Sequence, residues 1–505
     1  MRFPMDSPNS NKKTIASMDN PSVKTNFAYN VVYQVLALIL PLITAPYLSR
    51  VLGATQLGIY SYTFSVAYYF VLFAMLGVNN YGNRSIARSR DNRAELSRTF
   101  WAIYAFQAIL TLLAVAMYVV YALLLAENAL IALLWIPYVL SAGLDINWFF
   151  FGLEEFKVTV TRNFVVKLIT FCLTLLLVRG EHALVIYCAL LSISYLVSVA
   201  VLWPFVKRRV DFIRPTLREI ASHLLPNLTL FVPVIAVSLY TVLDKVMLGQ
   251  MSTYEQTGYF ENALKVAGMP FTLITALGTV MLPRASHLLA CGDRESVGRY
   301  LGSSMWAVMM LSFAFAFGLA GVAPVFSPVF FGAGFEACSD LICVIVIEMP
   351  FMAWANVLRT QYLIPAGRDR DYVASVIVGA AVNIAVNLLL IPSMGAMGAA
   401  WATAAAEAAV CLAQVWSVRG ELPQLKWLHE CIPFLVIGLA AFVSVRAIGA
   451  ALATSILTLV IQIGIGIVVY TLLCWIWLAV VTHSKYYESI VVPILKSTWK
   501  YVMRR

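Results

Sequence analysis

A small set of charged residues lies within, or at the ends of, long apolar stretches of the sequence, and these residues are candidates for function. Ionisable groups are costly in hydrocarbon, so they usually face a cavity, a partner or a transport path. We predict that the basic members bind an anionic substrate, and these are Arg50, Arg84, Lys167, Lys245, Lys265 and Arg359. We predict an ion-coupling role for the acidic members, which are Asp244, Glu261, Glu348 and Glu407.

Glu348 and Glu407 are the most deeply placed acids. Each lies about eleven or twelve residues from either end of its apolar stretch, roughly 16–18 Å in a helix. A glutamate cannot reach water over that distance. Each is therefore either a coupling-ion or proton site, or a protonated or paired acid that ties helices together. Glu348 and Arg359 are eleven residues apart, which places them on nearly the same helix face.

The spacing of the other charges suggests local pairs. Glu261 and Lys265 are four residues apart in the favourable acid-first order, which indicates an internal salt bridge or a substrate contact. Asp244 and Lys245 are neighbours that point to different faces, so at least one of them is structural. Lys167 lies well inside its stretch, and it either contacts phosphate or extends to the interface.

The elements that carry these residues are membrane helices. Of 505 residues, 61% are hydrophobic and 12% are charged, about half the charged share of a soluble domain. Stretches of about 20 apolar residues recur, each enough to cross a hydrocarbon core. We predict an all-α polytopic membrane protein with about fourteen spans: 27–49, 58–80, 99–125, 129–151, 161–178, 184–206, 223–248, 258–283, 301–325, 337–358, 372–392, 395–417, 431–449 and 453–481.

The distribution of lysine and arginine predicts the orientation. Basic residues accumulate in alternate loops, and positive loops are retained in the cytoplasm. We therefore expect both termini to be cytoplasmic, with Arg50 as an exception at the outer end of the first span. The net charge of +10 favours contact with anionic membrane lipids rather than nucleic acid, because the basic residues lie in short loops between the spans.

Other chemistry is not indicated. The eight cysteines form neither a CxxC pair nor a Cys/His cluster at metal spacing, and no phosphate-binding loop of the form G-x-x-x-x-G-K-[ST] occurs. We expect no metal, no cofactor and no ATP hydrolysis. A weak internal repeat is visible, in which Leu52-Gly53 precede Gly58 and Tyr60 as Leu248-Gly249 precede Gly258 and Tyr259.

Several short segments of the sequence resemble those of bacterial polysaccharide flippases of the O-antigen and capsule type, within the multidrug/oligosaccharidyl-lipid/polysaccharide exporter superfamily. Most of the similarity lies in the first predicted helix and the segment that follows it, at Asn30, Tyr33, Gln34, Pro41, Pro46, Ser49-Arg50-Val51-Leu52-Gly53, Gly58, Tyr60 and Asn79-Asn80-Tyr81-Gly82-Asn83-Arg84. Further matches are Asp145, Trp148, Phe149, Gly152, Arg162-Asn163, Leu243-Asp244-Lys245 and the phrase from Gly395 to Glu407.

The resemblance implies two pseudo-symmetric six-helix lobes around a central cavity, alternating access, and a polyprenyl-diphosphate-linked oligosaccharide as substrate. It also implies partner polysaccharide polymerase and glycosyltransferases. We expect a polar tail (1–26), an N-terminal lobe (27–206), a basic linker (207–222), a C-terminal lobe (223–417), two extra spans (418–481) and a basic interfacial tail (482–505).

Three alternatives remain open. A lipid II flippase and a multidrug antiporter belong to the same superfamily, and Glu348 and Glu407 would also suit a cation exporter. A polytopic glycosyltransferase or polymerase would normally need an acidic catalytic loop or a sizeable outer loop, and the sequence has neither.

Overall fold

The computed structural model describes residues 21–482, with side chains from residue 40 onward except 156, 276–277, 279–280, 294 and 480–482. Within those residues the fold is helical, with no strand. The predicted tails lie largely outside the described residues, which exclude 1–20 and 483–505.

The helices are α1 Pro21–Met75, α2 Val78–Ser89, α3 Arg93–Leu124, α4 Ala129–Leu133, α5 Ile136–Leu144, α6 Asn147–Gly152, α7 Phe156–Leu177, α8 Ala183–Ala200, α9 Trp203–Val206, α10 Leu217–Ser222, α11 Leu224–Thr241, α12 Leu243–Met251, α13 Tyr254–Ala290, α14 Arg294–Phe331, α15 Ala337–Ile345, α16 Glu348–Leu358, α17 Asp369–Met394, α18 Ala396–Ser417, α19 Gln424–Ala451 and α20 Ile456–Ile476; π-helical turns follow α16 and α20.

The predicted class of polytopic membrane protein is confirmed. Twelve stretches of the described residues are long and apolar enough to cross a membrane, and one of them, Leu40–Ser89, contains the predicted boundary between two spans. Helix α13 adds a further 37-residue helix, so the count agrees with about fourteen. Large apolar side chains remain exposed on the outside, such as Leu112 (67%) and Leu124 (76%) of α3, as expected for a surface that faces lipid.

Several helices extend beyond the predicted ends of the spans. The predicted span 99–125 corresponds to Arg93–Leu124, which begins six residues earlier, and 258–283 is part of Tyr254–Ala290. Hydropathy marks only the apolar middle of a helix, whereas caps set its ends. Asn92 caps α3 by accepting hydrogen bonds from the backbone N–H groups of Ala94 and Glu95.

Helix α1 contains the first predicted span and most of the second, which runs on into α2. The backbone breaks between the two spans at Gly53. The φ angle of Gly53 is +71°, a conformation that residues with a side chain rarely adopt. We call the end of the molecule that contains this break the elbow end. The opposite end, where residues 207–216 join α9 to α10, is the linker end.

Ion pairs tie loops together at the linker end. Arg93 donates to both carboxylate oxygens of Asp211, at 2.9 and 2.8 Å, and Arg98 pairs with Glu219. The Arg93 hydrogen bond holds the pKa of Asp211 below its usual value. These exposed pairs contribute little to stability individually, but they attach the start of α3 to the segment that leads into α10.

The two helices of the internal repeat meet each other at the elbow end. A Cβ at Gly58 would overlap the carbonyl oxygen of Tyr254, and a Cβ at Gly258 would overlap the carbonyl oxygen of Ala54. The glycines therefore let the backbones of α1 and α13 touch directly. We call this contact the glycine seam; it joins the N-terminal helices (α1–α9) to the C-terminal helices (α10–α18).

We predict that Gly58→Ala and Gly258→Ala each lower the free energy of unfolding by about 1–3 kcal/mol, because a methyl group forces the two backbones apart. The measurement is thermal unfolding of the purified protein in detergent. Gly268→Ala is the matched control, since it lies on α13 and an added Cβ there meets nothing within 4 Å. Equal stability of Gly58→Ala and Gly268→Ala would contradict a tight seam.

Candidate functional site

One acid and two bases from the predicted set form a cluster near the elbow end. Glu261 and Lys265 lie on α13, and Lys245 lies on α12. The Lys245 ammonium is 2.9 Å from one carboxylate oxygen of Glu261, and the Lys265 ammonium is 3.1 Å from the other. The predicted Glu261–Lys265 pair is therefore present, and we call the whole group the Lys–Glu–Lys cluster.

The cluster connects the two sets of helices. The Ser61 hydroxyl of α1 donates to Glu261 Oε2 at 3.0 Å. The Lys265 ammonium lies 5.6 Å from the centroid of the Tyr60 ring, in cation–π geometry. Nearby, the Asn262 amide donates to the Ser49 hydroxyl at 3.1 Å. The charged group thus lies directly beneath the glycine seam.

The charge balance of the cluster suits reversible anion binding. The Glu261 side chain is 9% exposed, whereas Lys245 and Lys265 retain 18% and 29% exposure. The group carries two positive charges against one negative charge. A phosphate that enters would find two ammonium groups already held together by a single carboxylate.

Asp244 points the other way from Lys245, toward helices α17 and α18. It accepts hydrogen bonds from the Asn387 amide at 2.6 Å and from the Thr403 hydroxyl at 2.7 Å. The same Asn387 amide also donates to Asn383 Oδ1 at 3.0 Å. All four side chains are buried, so we call them the Asp244 pocket. They contain a carboxylate, two amide groups and a hydroxyl, and oxygen atoms of these groups are ligands that hard cations prefer.

Glu348 and Glu407 lie near each other inside the C-terminal helices, at 8% and 6% exposure. Glu407 and Asp244 both act electrostatically on Glu348, and Arg359 acts on Glu407. Glu348 Oε2 has no hydrogen-bond partner among the described residues. Two buried acids and one arginine therefore lie close to each other.

Arg50 spans the elbow end between the two sets of helices. Its guanidinium donates to the carbonyl oxygen of Val329 on α14 at 2.9 Å and to that of Pro46 at 3.1 Å. Its side chain also packs close to Gly332. The prediction of a substrate contact is not tested by this geometry, which places Arg50 in a contact between the two sets of helices.

The other three basic candidates lie away from the cluster. Arg84 is exposed on α2, near the linker end. Lys167 is exposed on α7 and lines a separate cavity among the N-terminal helices. Arg359 lies 5.8 Å from the centroid of the Tyr372 ring. Among the described residues, Lys245 and Lys265 contact the same acid, whereas the other four basic candidates lie at different places in the fold.

Sequence reasoning missed the neutral partners of these charges. Asn383 and Asn387 are four residues apart in the apolar part of α17, which is a detectable signal because unpaired amides are costly in a membrane helix. Ser61 and Thr403 carry no such signal. Among the described residues, no cluster of three or more His, Cys, Asp or Glu side chains has the geometry to hold a metal ion.

A polytopic helical protein with buried charges between two sets of spans has the construction of a membrane transporter. The chain matches the family described as "Polysaccharide biosynthesis protein" over residues 23–289, more than half of its length, and it belongs to that family.

Two relatives and one solved structure extend this assignment. The "Putative O-antigen transporter" of Escherichia coli K12 is 22% identical over 79% of this chain and 97% of its own length. The "Probable low-salt glycan biosynthesis flippase Agl15" of Haloferax volcanii is 22% identical over 46% of this chain and 49% of its own length. The fold is similar to that of lipid II flippase MurJ in an inward closed conformation, with a TM-score of 0.74, 14% identity, and coverage of 90% of this chain and 99% of that chain.

We predict that Glu261→Gln lowers the free energy of unfolding by about 2 kcal/mol or more, because it leaves two ammonium groups without their counterion. This is below the roughly 3–5 kcal/mol of a fully buried pair, since both lysines are partly exposed. Adding Lys265→Met should restore part of the loss, with a coupling energy of about 0.5–3 kcal/mol. The measurement is thermal unfolding in detergent.

The control for this cycle is Glu295→Gln, whose side chain is 83% exposed and lies 3.8 Å from Arg299. It should leave stability unchanged. Additive effects of Glu261→Gln and Lys265→Met would contradict an energetic link between the two side chains.

Proposed function

We propose that this protein is a flippase that moves polyprenyl-diphosphate-linked oligosaccharides from the inner to the outer leaflet of the bacterial cytoplasmic membrane. The observation that carries the proposal is the Lys–Glu–Lys cluster. It presents two cations beneath the glycine seam, where a diphosphate passing between the two sets of helices would meet them. The family and the printed names of the relatives support a glycan-lipid substrate.

The transport cycle follows from the physical problem. A diphosphate and several sugars cannot cross hydrocarbon without polar partners. A cavity between a lobe of residues 27–206 and a lobe of residues 223–417 supplies them, while the isoprenoid tail stays in lipid. The linker 207–222 joins the lobes, and residues 418–481 add two spans. Movement of the lobes about the seam would open the cavity to each side in turn.

The orientation belongs to the same proposal. The excess of basic residues in alternate loops favours a cytoplasmic linker end and an elbow end on the outer face. In this orientation the glycine seam and Arg50 close the outer side, and Arg84 meets an incoming diphosphate on the cytoplasmic side. The polymerase and glycosyltransferases of the same pathway would be partners, and no residue is assigned a catalytic role.

The substrate class is tested by flipping of a radiolabelled polyprenyl-diphosphate oligosaccharide in proteoliposomes. We expect Lys245→Gln and Lys265→Gln each to slow flipping by about tenfold or more, because each removes one charge-assisted contact with phosphate. Lys207→Gln, in the linker, is the matched control and should flip at the rate of the unmodified protein.

The alternatives have distinct outcomes in the same assay. Flipping of lipid II in preference to the oligosaccharide lipid would identify a lipid II flippase. Gradient-driven efflux of small organic cations, with no lipid flipping, would identify a multidrug antiporter. Sugar transfer or chain growth without flipping would identify a glycosyltransferase or polymerase.

We further propose that transport is ion-coupled, with two separate ionic groups in the C-terminal helices. The oxygen ligands of the Asp244 pocket suit a monovalent metal cation such as Na⁺, whereas the Glu348–Glu407 group suits a proton. Glu261 pairs with the two lysines, and the coupling role that we predicted for it from the sequence stays a prediction.

We expect sodium chloride to stabilise the protein relative to choline chloride, by about 1.4 kcal/mol at a sodium concentration ten times the Kd. Asp244→Asn should abolish this difference because it removes the only charged ligand in the pocket. Glu348→Gln is the control, and it should keep the sodium effect while losing any dependence of flipping on a proton gradient. A sodium effect that survives Asp244→Asn would rule out the Asp244 pocket as the cation site.

A further inference from the structure

Polar side chains continue from the Glu348–Glu407 group toward the linker end. Gly332 follows α14 at the elbow end, so α15 and α16 run from there to the linker end. Glu348 lies near the middle of the candidate span Ala337–Leu363, whereas Arg359 lies four residues, or roughly 6 Å, from the end of that span. A polar connection from Glu348 to Arg359 therefore leads from mid-membrane almost to the interface.

Helix α18 carries a parallel connection. Glu407 and Gln414 are seven residues apart on α18, which places them on the same helix face at a separation of roughly 10 Å. The Gln414 amide donates to the Ser375 hydroxyl of α17 at 3.1 Å. That hydroxyl in turn donates to the carbonyl oxygen of Tyr372 at 2.7 Å. Hydrogen bonds thus extend from Gln414 to the first turn of α17 at the linker end.

Arg359 and Tyr372 bring the two connections together. The Arg359 guanidinium lies 5.8 Å from the centroid of the Tyr372 ring, and it acts electrostatically on Glu407. Tyr240 of α11 lies among them, since both of these residues and both acids act on it. We call the following six side chains the polar row: Glu348, Arg359, Tyr372, Ser375, Glu407 and Gln414.

The polar row contains buried oxygen atoms that lack a partner. Gln414 is 1% exposed and Glu348 is 8% exposed. Among residues of the described part of the chain, neither Gln414 Oε1 nor Glu348 Oε2 has a hydrogen-bond partner. Such atoms are costly to bury, and the usual partner inside a protein is an ordered water, which makes about three hydrogen bonds. The two oxygens, one at mid-membrane and one nearer the linker end, therefore indicate a hydrated row.

The charges at the inner end of the row require a proton. Glu407 and Asp244 of α12 act on Glu348, and Arg359 acts on Glu407. Three carboxylates near one guanidinium carry excess negative charge if all three are ionised, which is unfavourable in the protein interior. A proton on Glu348 or Glu407 relieves this repulsion. A proton that binds reversibly at mid-membrane needs a route to water.

We propose that the polar row is a hydrated proton path between the Glu348–Glu407 group and the linker end, with Gln414 and Ser375 as positioning residues that hold its water. A proton from water at the linker end passes from one water to the next, and the last water donates it to a carboxylate oxygen of Glu348 or Glu407. The inference rests on the proposed proton role of these acids and deepens it, because it assigns the side from which the proton arrives.

The rate of proton entry tests the path without transport. The pH of detergent-purified protein is lowered rapidly, and protonation of buried carboxyl groups is followed by time-resolved infrared absorption. Glu348→Gln and Glu407→Gln identify the bands. We expect Gln414→Leu to slow this protonation by about tenfold or more, because an apolar side chain interrupts the hydrogen bonds along the row.

Gln462→Leu is the matched control for this measurement. Gln462 is also 1% exposed and also has an unpaired side-chain oxygen among the described residues, but it lies on α20, outside the row. It should leave the protonation rate unchanged. Ser375→Ala is a second, more conservative variant in case Gln414→Leu fails to fold. A slower rate in either variant supports the path, and unchanged rates in both would overturn it.

Hydration of the row is tested directly in the unmodified protein by X-ray hydroxyl-radical footprinting with mass spectrometry. Radicals formed from water oxidise neighbouring side chains. Tyr240 lies beside the row, and Tyr470 of α20 packs in an apolar cluster, although both are 8% exposed. We expect Tyr240 to be oxidised several times faster than Tyr470. Equal oxidation of the two tyrosines would show that the row is dry and would overturn the path.

The path and the proposed function fail in different ways. Absence of lipid flipping by the unmodified protein, together with slowed protonation in Gln414→Leu, would overturn the flippase function and leave the path standing. Normal flipping, with unchanged protonation rates in Gln414→Leu and Ser375→Ala, would do the reverse. Absence of any infrared band from Glu348 or Glu407 after the pH change would overturn their proton role and the path together.

Discussion

The contact of one carboxylate with two ammonium groups is the interaction on which the arrangement of the charged site depends. Glu261 holds Lys245 of α12 and Lys265 of its own helix, and it accepts a hydrogen bond from Ser61 of α1. Without the acid, two cations would face each other in a medium that solvates charge poorly. Glu261 stabilises the Lys–Glu–Lys cluster when no anion is bound, and the cluster still carries a net positive charge.

The glycine seam makes that contact geometrically feasible. A hydrogen bond between Ser61 and Glu261 requires α1 and α13 to approach closely, and Gly58 and Gly258 allow the backbones to touch one turn away. Arg50 adds a contact to α14 at the same end of the molecule. The polar contacts and the backbone contacts therefore lie together, so a movement that separates the helices at the elbow end has to disrupt both.

The sequence predicts the helices well because a membrane span is defined by local composition. It also predicts the Glu261–Lys265 pair, since residues four apart in a helix are neighbours whatever the tertiary fold. The sequence could not predict that Glu261 is the partner of Lys245, because this contact depends on how α12 packs against α13. The glycines of the repeat were visible in the sequence, but nothing local indicates that Gly58 and Gly258 face each other. The Asp244 pocket was predictable in part: Asn383 and Asn387 were a detectable signal, while the acid that accepts a hydrogen bond from Asn387 lies on another helix.

Asp244 and Lys245 are consecutive residues of the short helix α12, and this adjacency gives a physical route for coupling. The Asp244 side chain is held by α17 and α18, whereas Lys245 is held by Glu261 of α13. Helix α12 is separated from α11 by a break at Val242, where φ is −125°. In the proposed cycle, an ion that entered the Asp244 pocket would compete for the hydrogen bonds that fix α12 on one side. A phosphate that bound Lys245 would compete for the salt bridge that fixes α12 on the other side. Each ligand would therefore act on the same helix, and by linkage the effect of one on the affinity for the other would be reciprocal.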